Sequence, residues 1–308
     1  MGPQVEAAAG FRRLSRGEWA SVAGVGGHAL SEQAVQAALG ANPSLDPGDV
    51  RSVLVPLARY LGMRADHARA LRAAESEFLG TPFRSAPFVV GVVGPVAVGK
   101  STLAATLEAL LAGPDATVVS TDSFLYPNAV LEARGIVDRK GFPESYDWDA
   151  LTAFLLAVRS GESDITTPVY SHDHYDVLDG AVERVGEPGV LVVEGLNLLQ
   201  APPTPGALEP ADLVDLAIYV DADGDHIRQW FIERFLGLRA AAGDDPWAFF
   251  HMFAVMSDDQ ALDTAVALWE GINAPNIRDH IAPTRSRADL VLVKGEDHGV
   301  QEIHLRLP

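Results

Sequence analysis

The stretch of sequence that decides the fold is Gly94-Pro95-Val96-Ala97-Val98-Gly99-Lys100-Ser101. It matches the pattern G-x-x-x-x-G-K-[S/T], follows the apolar run 88–93 and opens a segment with helical spacing, 102–111. Glycines at these positions let backbone N–H groups turn towards phosphate oxygens, and the start of a helix adds positive potential. The order of strand, glycine-rich loop, lysine, serine and helix therefore predicts a phosphate-binding loop.

Two side chains of this loop have chemical roles in the pattern, and a third residue elsewhere completes the set. Lys100 reaches the β- and γ-phosphates of a nucleotide, and the hydroxyl of Ser101 binds Mg²⁺. Glu194 ends the apolar run 190–193, so its carboxylate is the candidate that binds magnesium or organises water. We therefore expect the backbone from Gly94 to Thr102 to bind the phosphates together with Mg²⁺.

Five short apolar runs indicate buried strands: 88–93, 117–120, 190–193, 216–220 and 290–293. They alternate with helical segments, which is typical of a parallel sheet covered by helices on both faces. We therefore predict an α/β fold in which residues 86–308 form a P-loop NTPase-type parallel sheet flanked by helices.

Residues 1–85 have a different pattern, that of a helical N-terminal extension packed on the core. Asp46-Pro47 is typical of a helix start, apolar residues recur behind it at helical spacing, and Gly62 is typical of a helix end. A second helix is predicted from Ala65 to Leu79. No domain linker is evident, and we expect a single α/β domain overall.

The composition restricts the classes of function. The chain has 308 residues, a net charge of −19 and no cysteine, which excludes disulfide scaffolds, thiolate metal sites and cysteine nucleophiles. A strongly acidic surface repels phosphate backbones, so nucleic acids and anionic membranes are poor partners. The sequence shows no signal peptide and no membrane-spanning stretch, and we expect a soluble, cytoplasmic protein.

An aspartate, Asp122, follows the second apolar run. Ligands of open α/β sheets lie beyond the carboxyl ends of the strands, so Asp122 would face the phosphate-binding loop. There its carboxylate can accept a proton from a substrate hydroxyl as the γ-phosphoryl group moves. The chain contains no Asn-Lys pair and so lacks the N-K-x-D guanine motif of GTPases. These features favour a small-molecule kinase over a switch protein.

Several longer segments resemble the bacterial type I pantothenate kinases. They are residues 96–102, 121–122, 124–128, 140–146, 168–172, 194–197, 234–235, 268–269, 272–273 and 283–285, with Trp230. The resemblance extends from about residue 11 to the C-terminus, and its most specific part is the segment 140–146. It implies ATP-dependent phosphorylation of the primary hydroxyl of pantothenate to 4′-phosphopantothenate, the first step of coenzyme A biosynthesis.

The resemblance also implies roles for individual residues. Asp122 is the general base, Lys100 binds the γ-phosphate, and Arg234 stabilises the transferring phosphoryl group. The residues implied for the pantothenate pocket are Tyr170, His172, Tyr175, Phe231 and Asn273. The residues implied for the adenosine site are Asn42, Lys294 and His298. Because relatives of this type are homodimers, the resemblance implies a homodimer as well.

Several positions depart from the pattern of that family. Pro95 stands in place of a serine and removes one N–H donor from the loop, and Ser123 replaces a glycine after the aspartate. Phe231 replaces a tyrosine that helps to hold the substrate carboxylate, which predicts a raised KM for pantothenate. Ala105 replaces an arginine used in feedback binding of coenzyme A, which predicts weak inhibition by coenzyme A.

Two other functions are compatible with the sequence. Phe231 favours a related P-loop kinase that acts on another hydroxyl, such as that of a nucleoside or a pantothenate analogue, whereas Tyr175 and Asn273 oppose it. The other alternative is a non-catalytic nucleotide-binding regulator. The presence of the general base, the phosphate-binding lysine and the arginine argues against a regulator.

Overall fold

The computed structural model describes residues 5–6, 10–22, 30–43, 45–111, 115–204, 206–242 and 249–307. Its strands are β1 (Val5–Glu6), β2 (Phe11–Ser15), β3 (Phe88–Val93), β4 (Ala116–Ser120), β5 (Thr166–Ser171), β6 (Asp176–Arg184), β7 (Val190–Gly195), β8 (Leu216–Ala222), β9 (Leu290–Lys294) and β10 (Val300–Arg306). Its helices are α1 (Arg16–Val22), α2 (Glu32–Ala41), α3 (Pro47–Asp49), α4 (Val55–Leu79), α5 (Lys100–Leu110), α6 (Asn128–Arg134), α7 (Trp148–Arg159), α8 (Gly224–Ala242), α9 (His251–Ala254), α10 (Asp258–Leu268) and α11 (Ala274–Asn276).

Shorter helical segments join these elements. The π-helical segments are Val50–Leu54, Trp269–Asn273 and Ile277–Ile281, and the 3₁₀ segments are Thr121–Phe124, Val137–Arg139, Pro143–Ser145, Pro210–Leu213 and Ala282–Arg287. Asp46 begins α3 as predicted, since its side chain accepts a hydrogen bond from the N–H of Asp49 and Pro47 occupies the first turn.

Eight strands form the main sheet, in the order β1-β2-β10-β9-β8-β3-β7-β4. The five strands from β9 to β4 are parallel to one another, and they contain the five apolar runs of the sequence. All six residues of β3 and of β7 are buried, because helices cover both faces of a parallel sheet. The predicted parallel sheet is confirmed, and the carboxyl ends of its strands meet along one edge.

Three antiparallel strands extend this sheet on one side. β10 pairs with β9, β2 pairs with β10, and β1 pairs with β2. Strands β1 and β2 belong to the N-terminal segment, where the sequence pattern predicts only helices. β2 escapes detection because Phe11 and Leu14 are its only buried residues. The N-terminal extension therefore contributes to the sheet as well as to the helical layer.

Helix α4 is longer than the sequence predicts. It runs through Gly62, where a helix end was predicted, and ends at Leu79, capped by Gly80, whose φ of 65° lies in the left-handed region. Gly62 is buried beside Leu61, so tertiary packing outweighs the roughly 1 kcal/mol by which glycine disfavours a helix interior. The predicted end at Gly62 is wrong, and the predicted helix 65–79 is the second part of α4.

Buried apolar clusters cover the two faces of the sheet. One cluster joins Leu14, Trp19 and Val35 of the N-terminal extension to Val90 and Val92 of β3. On the opposite face, the buried side of α7 packs with the alternate residues of β3 and β7. The extension thus shares a core with the strand that leads into the phosphate-binding loop. None of the described helices is long and apolar enough to cross a membrane.

Strands β5 and β6 form a separate two-stranded antiparallel sheet. This hairpin contacts the 3₁₀ segment Thr121–Phe124, which follows β4. The apolar pattern does not predict this hairpin, because most of its residues are partly or fully exposed. Its position brings the segment 166–184 to the same edge of the main sheet as the phosphate-binding loop.

Candidate active site

The phosphate-binding loop lies between β3 and α5, where the sequence predicts it. Gly94 has a φ of 150°, and a Cβ atom there would lie 2.3 Å from the carbonyl oxygen of Val220 in β8. Gly99 has a φ of 94° and directly precedes α5. Both positions therefore require glycine, and the loop brings the unpaired N–H groups at the start of α5 to the carboxyl edge of the sheet.

Lys100 is buried beneath the loop. Its Nζ donates a hydrogen bond of 2.8 Å to the carbonyl oxygen of Pro95. Burial lowers the pKa of Lys100, while the charges of Glu194 and Asp122 act in the opposite direction. A nucleotide phosphate would offer this ammonium group a charged acceptor in place of a neutral carbonyl.

The remaining residues of the loop and of the first turns of α5 lie around Lys100 and Pro95. Val98 is buried, and Val96 and Ala97 are half-buried. The carbonyl oxygen of Thr102 accepts a hydrogen bond within α5 from the hydroxyl of Thr106, at 2.6 Å. Ala105, the position expected to affect binding of coenzyme A, is half-buried on the same helix.

Ser101 and Glu194, the two residues that the sequence predicts as magnesium ligands, contact each other. The Oγ of Ser101 donates to Oε1 of Glu194 over 3.2 Å, and Glu194 is buried. Hydroxyl and carboxylate oxygens are ligands that Mg²⁺ prefers, and Mg²⁺ takes its other ligands from phosphates and water. Among the described residues no group of three or more His, Cys, Asp or Glu could hold a metal ion. The donor set therefore fits a magnesium ion that arrives with a nucleotide.

Asp122 lies in the 3₁₀ segment Thr121–Phe124, directly after β4. Ser120 begins this segment, and its Oγ accepts a hydrogen bond of 3.3 Å from the N–H of Asp122. Burial and the charge of Glu194 raise the pKa of Asp122, whereas the charge of Lys100 lowers it. The carboxylate is therefore within electrostatic reach of the phosphate-binding lysine. Ser123, the next residue, is half-buried in the same turn.

Tyr170, His172 and Tyr175 form one wall beside Asp122, on the hairpin and its turn. The ring of Tyr170 meets the rings of His172 and Tyr175 edge-on, with centroids 5.2 and 6.2 Å away. His172 is an electrostatic neighbour of Asp122, and burial is the main cause of a raised pKa at Tyr170. These groups stand where a substrate hydroxyl can be presented to Asp122.

Lys140 fixes the turn of that hairpin. Its Nζ donates to Oδ1 of Asn128 at 2.7 Å and to the carbonyl oxygen of Tyr175, and it lies 4.6 Å from the centroid of the Tyr175 ring. Tyr175 has a φ of 53°, which a non-glycine residue adopts only when its surroundings hold it. The sequence assigns Lys140 no role, since only folding brings it against a residue 35 positions later.

Arg234 and Phe231 lie on α8, and Asn273 lies in the π-helical segment Trp269–Asn273. Arg234 is exposed on α8 and is an electrostatic neighbour of Lys100. Phe231, one turn earlier, packs on Trp269 with ring centroids 5.7 Å apart. Asn273 ends the segment Trp269–Asn273, and its side-chain amide donates to a backbone carbonyl of α10 at 3.1 Å. Among the described residues, neither the ring contact of Phe231 nor the hydrogen bond of Asn273 reaches the hairpin.

Asn42, Lys294 and His298 approach the loop and α5 from two directions. The Nδ2 of Asn42, at the end of α2, donates to Oγ1 of Thr106 on α5 at 3.1 Å. Lys294 ends β9, and its Nζ donates to the carbonyl oxygen of Val98 at 3.1 Å. His298 lies in the next turn and is an electrostatic neighbour of Lys294. The structure thus brings these three predicted residues to the helix and loop that would hold the phosphates.

One buried polar group of the site was not predicted from the sequence. Tyr146 is only 1% exposed, and its Oη has no hydrogen-bond partner among the described residues. Burial, followed by the charges of Asp122 and Glu194, holds the pKa of Tyr146 well above its ordinary value. Tyr146 is therefore a neutral phenol near two carboxylates, and its only signal in the sequence is its position in the segment 140–146.

The chain is similar to kinases over almost its whole length. Residues 89–240 match the Phosphoribulokinase / Uridine kinase family. The chain is 44% identical over 306 residues to the pantothenate kinase of Sorangium cellulosum (strain So ce56), covering 98% of this chain and 99% of that protein. It is 41% identical over 304 residues to the pantothenate kinase of Bradyrhizobium sp. (strain BTAi1), covering 96% of each. A solved structure of a putative fructose transport system kinase from Silicibacter sp. TM1040 is 28% identical, with a TM-score of 0.55 over 72% of this chain and 97% of that one.

Proposed function

The chain belongs to the pantothenate kinase family, and on that premise we propose how its own residues phosphorylate pantothenate. The reaction transfers the γ-phosphoryl group of ATP to the primary hydroxyl of pantothenate and gives 4′-phosphopantothenate and ADP. One observation carries the assignment of residues: Lys100, Asp122 and Glu194 are electrostatic neighbours at the carboxyl edge of the parallel sheet. They supply the phosphate-binding cation, the carboxylate base and the magnesium ligand that transfer to a hydroxyl uses.

Asp122 is the general base in this proposal. The bond from the pantothenate hydroxyl oxygen to the γ-phosphorus forms as the bond to the β–γ bridging oxygen breaks, and the hydroxyl proton passes to the Asp122 carboxylate. Its raised pKa makes this carboxylate a stronger proton acceptor than an exposed aspartate. The hairpin wall of Tyr170, His172 and Tyr175 would orient the hydroxyl towards it.

Lys100 and Arg234 stabilise the charge of the transferring group. When ATP binds, Lys100 exchanges the carbonyl oxygen of Pro95 for phosphate oxygens, which gives charge-assisted hydrogen bonds. Because this carbonyl remains present in proline, the substitution at Pro95 is compatible with the role of the lysine. Arg234 supplies a planar guanidinium for the equatorial oxygens of the phosphoryl group. Ser101 and Glu194 would hold Mg²⁺, which when bound supplies further positive charge to the β- and γ-phosphates.

The two substrates bind to different walls of the site in this proposal. The backbone from Gly94 to Thr102 binds the phosphates of ATP. The side chains around adenosine are Asn42, Lys294 and His298. Those around pantothenate are Tyr170, His172, Tyr175, Phe231 and Asn273, whose hydroxyl, imidazole and amide groups suit a substrate with a carboxylate, an amide and hydroxyls.

Wider features of the proposal follow from the family resemblance. The product enters coenzyme A biosynthesis, and the enzyme acts as a cytoplasmic homodimer in which residues 1–85 pack on a kinase core of residues 86–308. Ala105 presents no charged group on α5, which supports weak feedback inhibition by the anionic coenzyme A.

An ADP-release assay with Mg²⁺-ATP and pantothenate tests the proposal, with uridine or no acceptor as controls. We expect turnover that depends on pantothenate, and we expect Asp122→Asn to lower kcat by about 10²–10⁴-fold. ADP binding to this variant, measured by calorimetry, should stay within about threefold of the wild type, because the base does not hold the nucleotide. Normal turnover by Asp122→Asn would exclude Asp122 as the base, and turnover with uridine alone would exclude pantothenate as the acceptor.

A further inference from the structure

The turn between β9 and β10, residues 295–299, carries His298 and is held by groups from other parts of the chain. From α8, Nε1 of Trp230 donates to the carbonyl oxygen of Glu296 at 3.3 Å. The Trp230 ring also stacks on the ring of His298, with centroids 4.0 Å apart. The turn is thereby attached to the helix that carries Arg234.

A second attachment comes from Asp49, in the N-terminal extension. Its Oδ2 accepts a hydrogen bond of 3.1 Å from the N–H of Val300, which is 251 residues away in the chain. The same oxygen lies 3.2 Å from the position that a Cβ atom would take at Gly299. The Oδ1 pairs with Nη1 of Arg16 at 2.5 Å, and the side chain of Asp49 is only 10% exposed. This buried carboxylate therefore joins the extension to the end of the turn.

The other end of the turn reaches the phosphate-binding loop through Lys294. Besides its hydrogen bond to the carbonyl oxygen of Val98, the Nζ of Lys294 lies 3.0 Å from the position of a Cβ atom at Gly99. Burial lowers the pKa of Lys294, and the charges of Asp49 and Asp297 oppose that effect. Asp49 thus acts on Lys294 electrostatically as well as through the backbone.

We propose that Asp49 is a positioning residue of the ATP site: by fixing Val300 and the turn before it, Asp49 holds Lys294 and His298 where the adenosine binds. The inference rests on the proposed assignment of Lys294 and His298 to that site. Asp49 does not touch the nucleotide and acts through the residues that do. The N-terminal extension then contributes to the ATP site through the turn. A disturbance of the extension at Asp49 would therefore weaken nucleotide binding.

The chain offers a matched control at the opposite end of the sheet. Asp215 is a half-buried carboxylate, with a side chain 15% exposed. It accepts a hydrogen bond from the N–H of Val89, at the start of β3, at 2.8 Å. It pairs with Arg159 at 2.9 Å and Arg72 at 3.4 Å. Asp215 therefore has the chemistry of Asp49 but lies at the edge of the sheet away from the phosphate-binding loop.

The test compares Asp49→Ala and Asp49→Asn with Asp215→Ala in the full-length protein. Asp49→Ala removes the contacts of the carboxylate with both Arg16 and Val300. Asp49→Asn loses the charge but keeps an oxygen that can accept a hydrogen bond from the N–H of Val300. We expect Asp49→Ala to raise the KM for ATP and the Kd for ADP about tenfold, equivalent to about 1.4 kcal/mol. Asp49→Asn should raise both by a smaller factor, while kcat and the KM for pantothenate change by less than about twofold. Asp215→Ala should lower the Tm at least as much but leave the Kd for ADP unchanged.

Two results would overturn the inference. One is a folded Asp49→Ala variant that binds ADP as tightly as the wild type. The other is an equal loss of ADP binding in Asp215→Ala, which would show a general effect of stability. If Asp49→Ala does not fold, Arg16→Ala removes the ion pair with Asp49, together with the contacts of Arg16 to Ser52 and Asp46. This variant should still weaken ADP binding, and unchanged binding would again overturn the inference.

His298→Ala separates this inference from the proposed function beneath it. A weaker affinity for ADP in His298→Ala, with normal affinity in Asp49→Ala, would retain the adenosine site and refute the positioning role. Unchanged affinity in His298→Ala would refute the assignment of His298 itself, and with it the route by which Asp49 acts.

Discussion

Replacement of Gly195 by alanine would test how strictly the site depends on the position of Asp122. Gly195 ends β7 and lies beside Thr121, the residue before Asp122. A Cβ atom at Gly195 would lie 1.7 Å from Oγ1 and 2.8 Å from Cβ of Thr121. The added Cβ atom and Oγ1 of Thr121 must separate by about 1.3 Å to reach 3.0 Å, the distance below which real Cβ atoms are essentially never found.

This separation requires the turn to move. Thr121 is fully buried, so its side chain cannot rotate away without displacing neighbours in a close-packed interior. We therefore expect the segment that carries Asp122 to shift by about 1 Å, and a shift of that size at a reacting group costs about 10²-fold in rate. Gly195→Ala should lower kcat about 100-fold. ADP binding should change much less, because the added methyl group faces Thr121 and not the phosphate-binding loop.

The assay is ADP release at saturating substrates, with calorimetric ADP binding, for Gly195→Ala, Thr121→Ala and the double variant. The Oγ1 of Thr121 has no hydrogen-bond partner among the described residues, so Thr121→Ala alone should change kcat little. The double variant removes the 1.7 Å contact and should regain most of the lost activity. Gly17→Ala in α1 is the control, since nothing lies within 4 Å of a Cβ atom there. The reasoning is refuted if Gly195→Ala turns over normally, or if the double variant binds ADP but stays as slow as Gly195→Ala.

Four further predictions concern the acceptor pocket, the base and the helix after the loop. Phe231→Tyr supplies a hydroxyl for the substrate carboxylate, a bond worth about 1.5–3 kcal/mol, so the KM for pantothenate should fall about tenfold or more; an unchanged KM would contradict this. Because the pKa of Asp122 is raised in the folded protein, stability falls as the pH rises from the ordinary value of 3.8 through the raised value. Asp122→Asn should therefore increase the Tm at pH 7 while it removes activity, and a lower Tm would contradict the shift. The same shift places the acid limb of kcat/KM above 3.8, and Glu194→Gln, by removing a negative charge, should move the limb of the residual activity to lower pH. Ala105→Arg should strengthen inhibition of turnover by coenzyme A relative to the wild type, and equal inhibition of both would remove Ala105 as the cause.

The fold was predictable where the local pattern and the tertiary environment agree. A strand covered on both faces must be largely apolar, and the five apolar runs of the sequence fall in the five parallel strands. β2 and the hairpin of β5 and β6 were not predictable in this way, because exposed residues interrupt their apolar pattern. At Gly62 a correct local rule failed, since burial of that glycine maintains a helix which the residue itself disfavours.

The residues of the site also divide into those that the local sequence pattern predicts and those that it does not. Lys100 and Ser101 belong to one octapeptide, and Asp122 and Glu194 were placed by the strands that they follow or end, so sequence spacing was enough to predict that they meet. The acceptor residues came only from the family resemblance. Lys140 and Asp49 contact groups 35 and 251 residues away. No local pattern contains such a pairing, because the partners become neighbours only when the chain has folded.

The separation of the hairpin from the main sheet has a consequence for how enzymes of this kind can change over evolutionary time. An isolated two-stranded hairpin is at best marginally stable by itself, whereas the phosphate-binding loop extends from an eight-stranded sheet with a continuous core. If the hairpin binds the acceptor as proposed, substitutions in residues 166–184 can alter which acceptor is bound without disturbing the strands that position Lys100 and Glu194. Selection for a new acceptor would find its least harmful mutations in this hairpin, with the chemistry of phosphoryl transfer inherited unchanged.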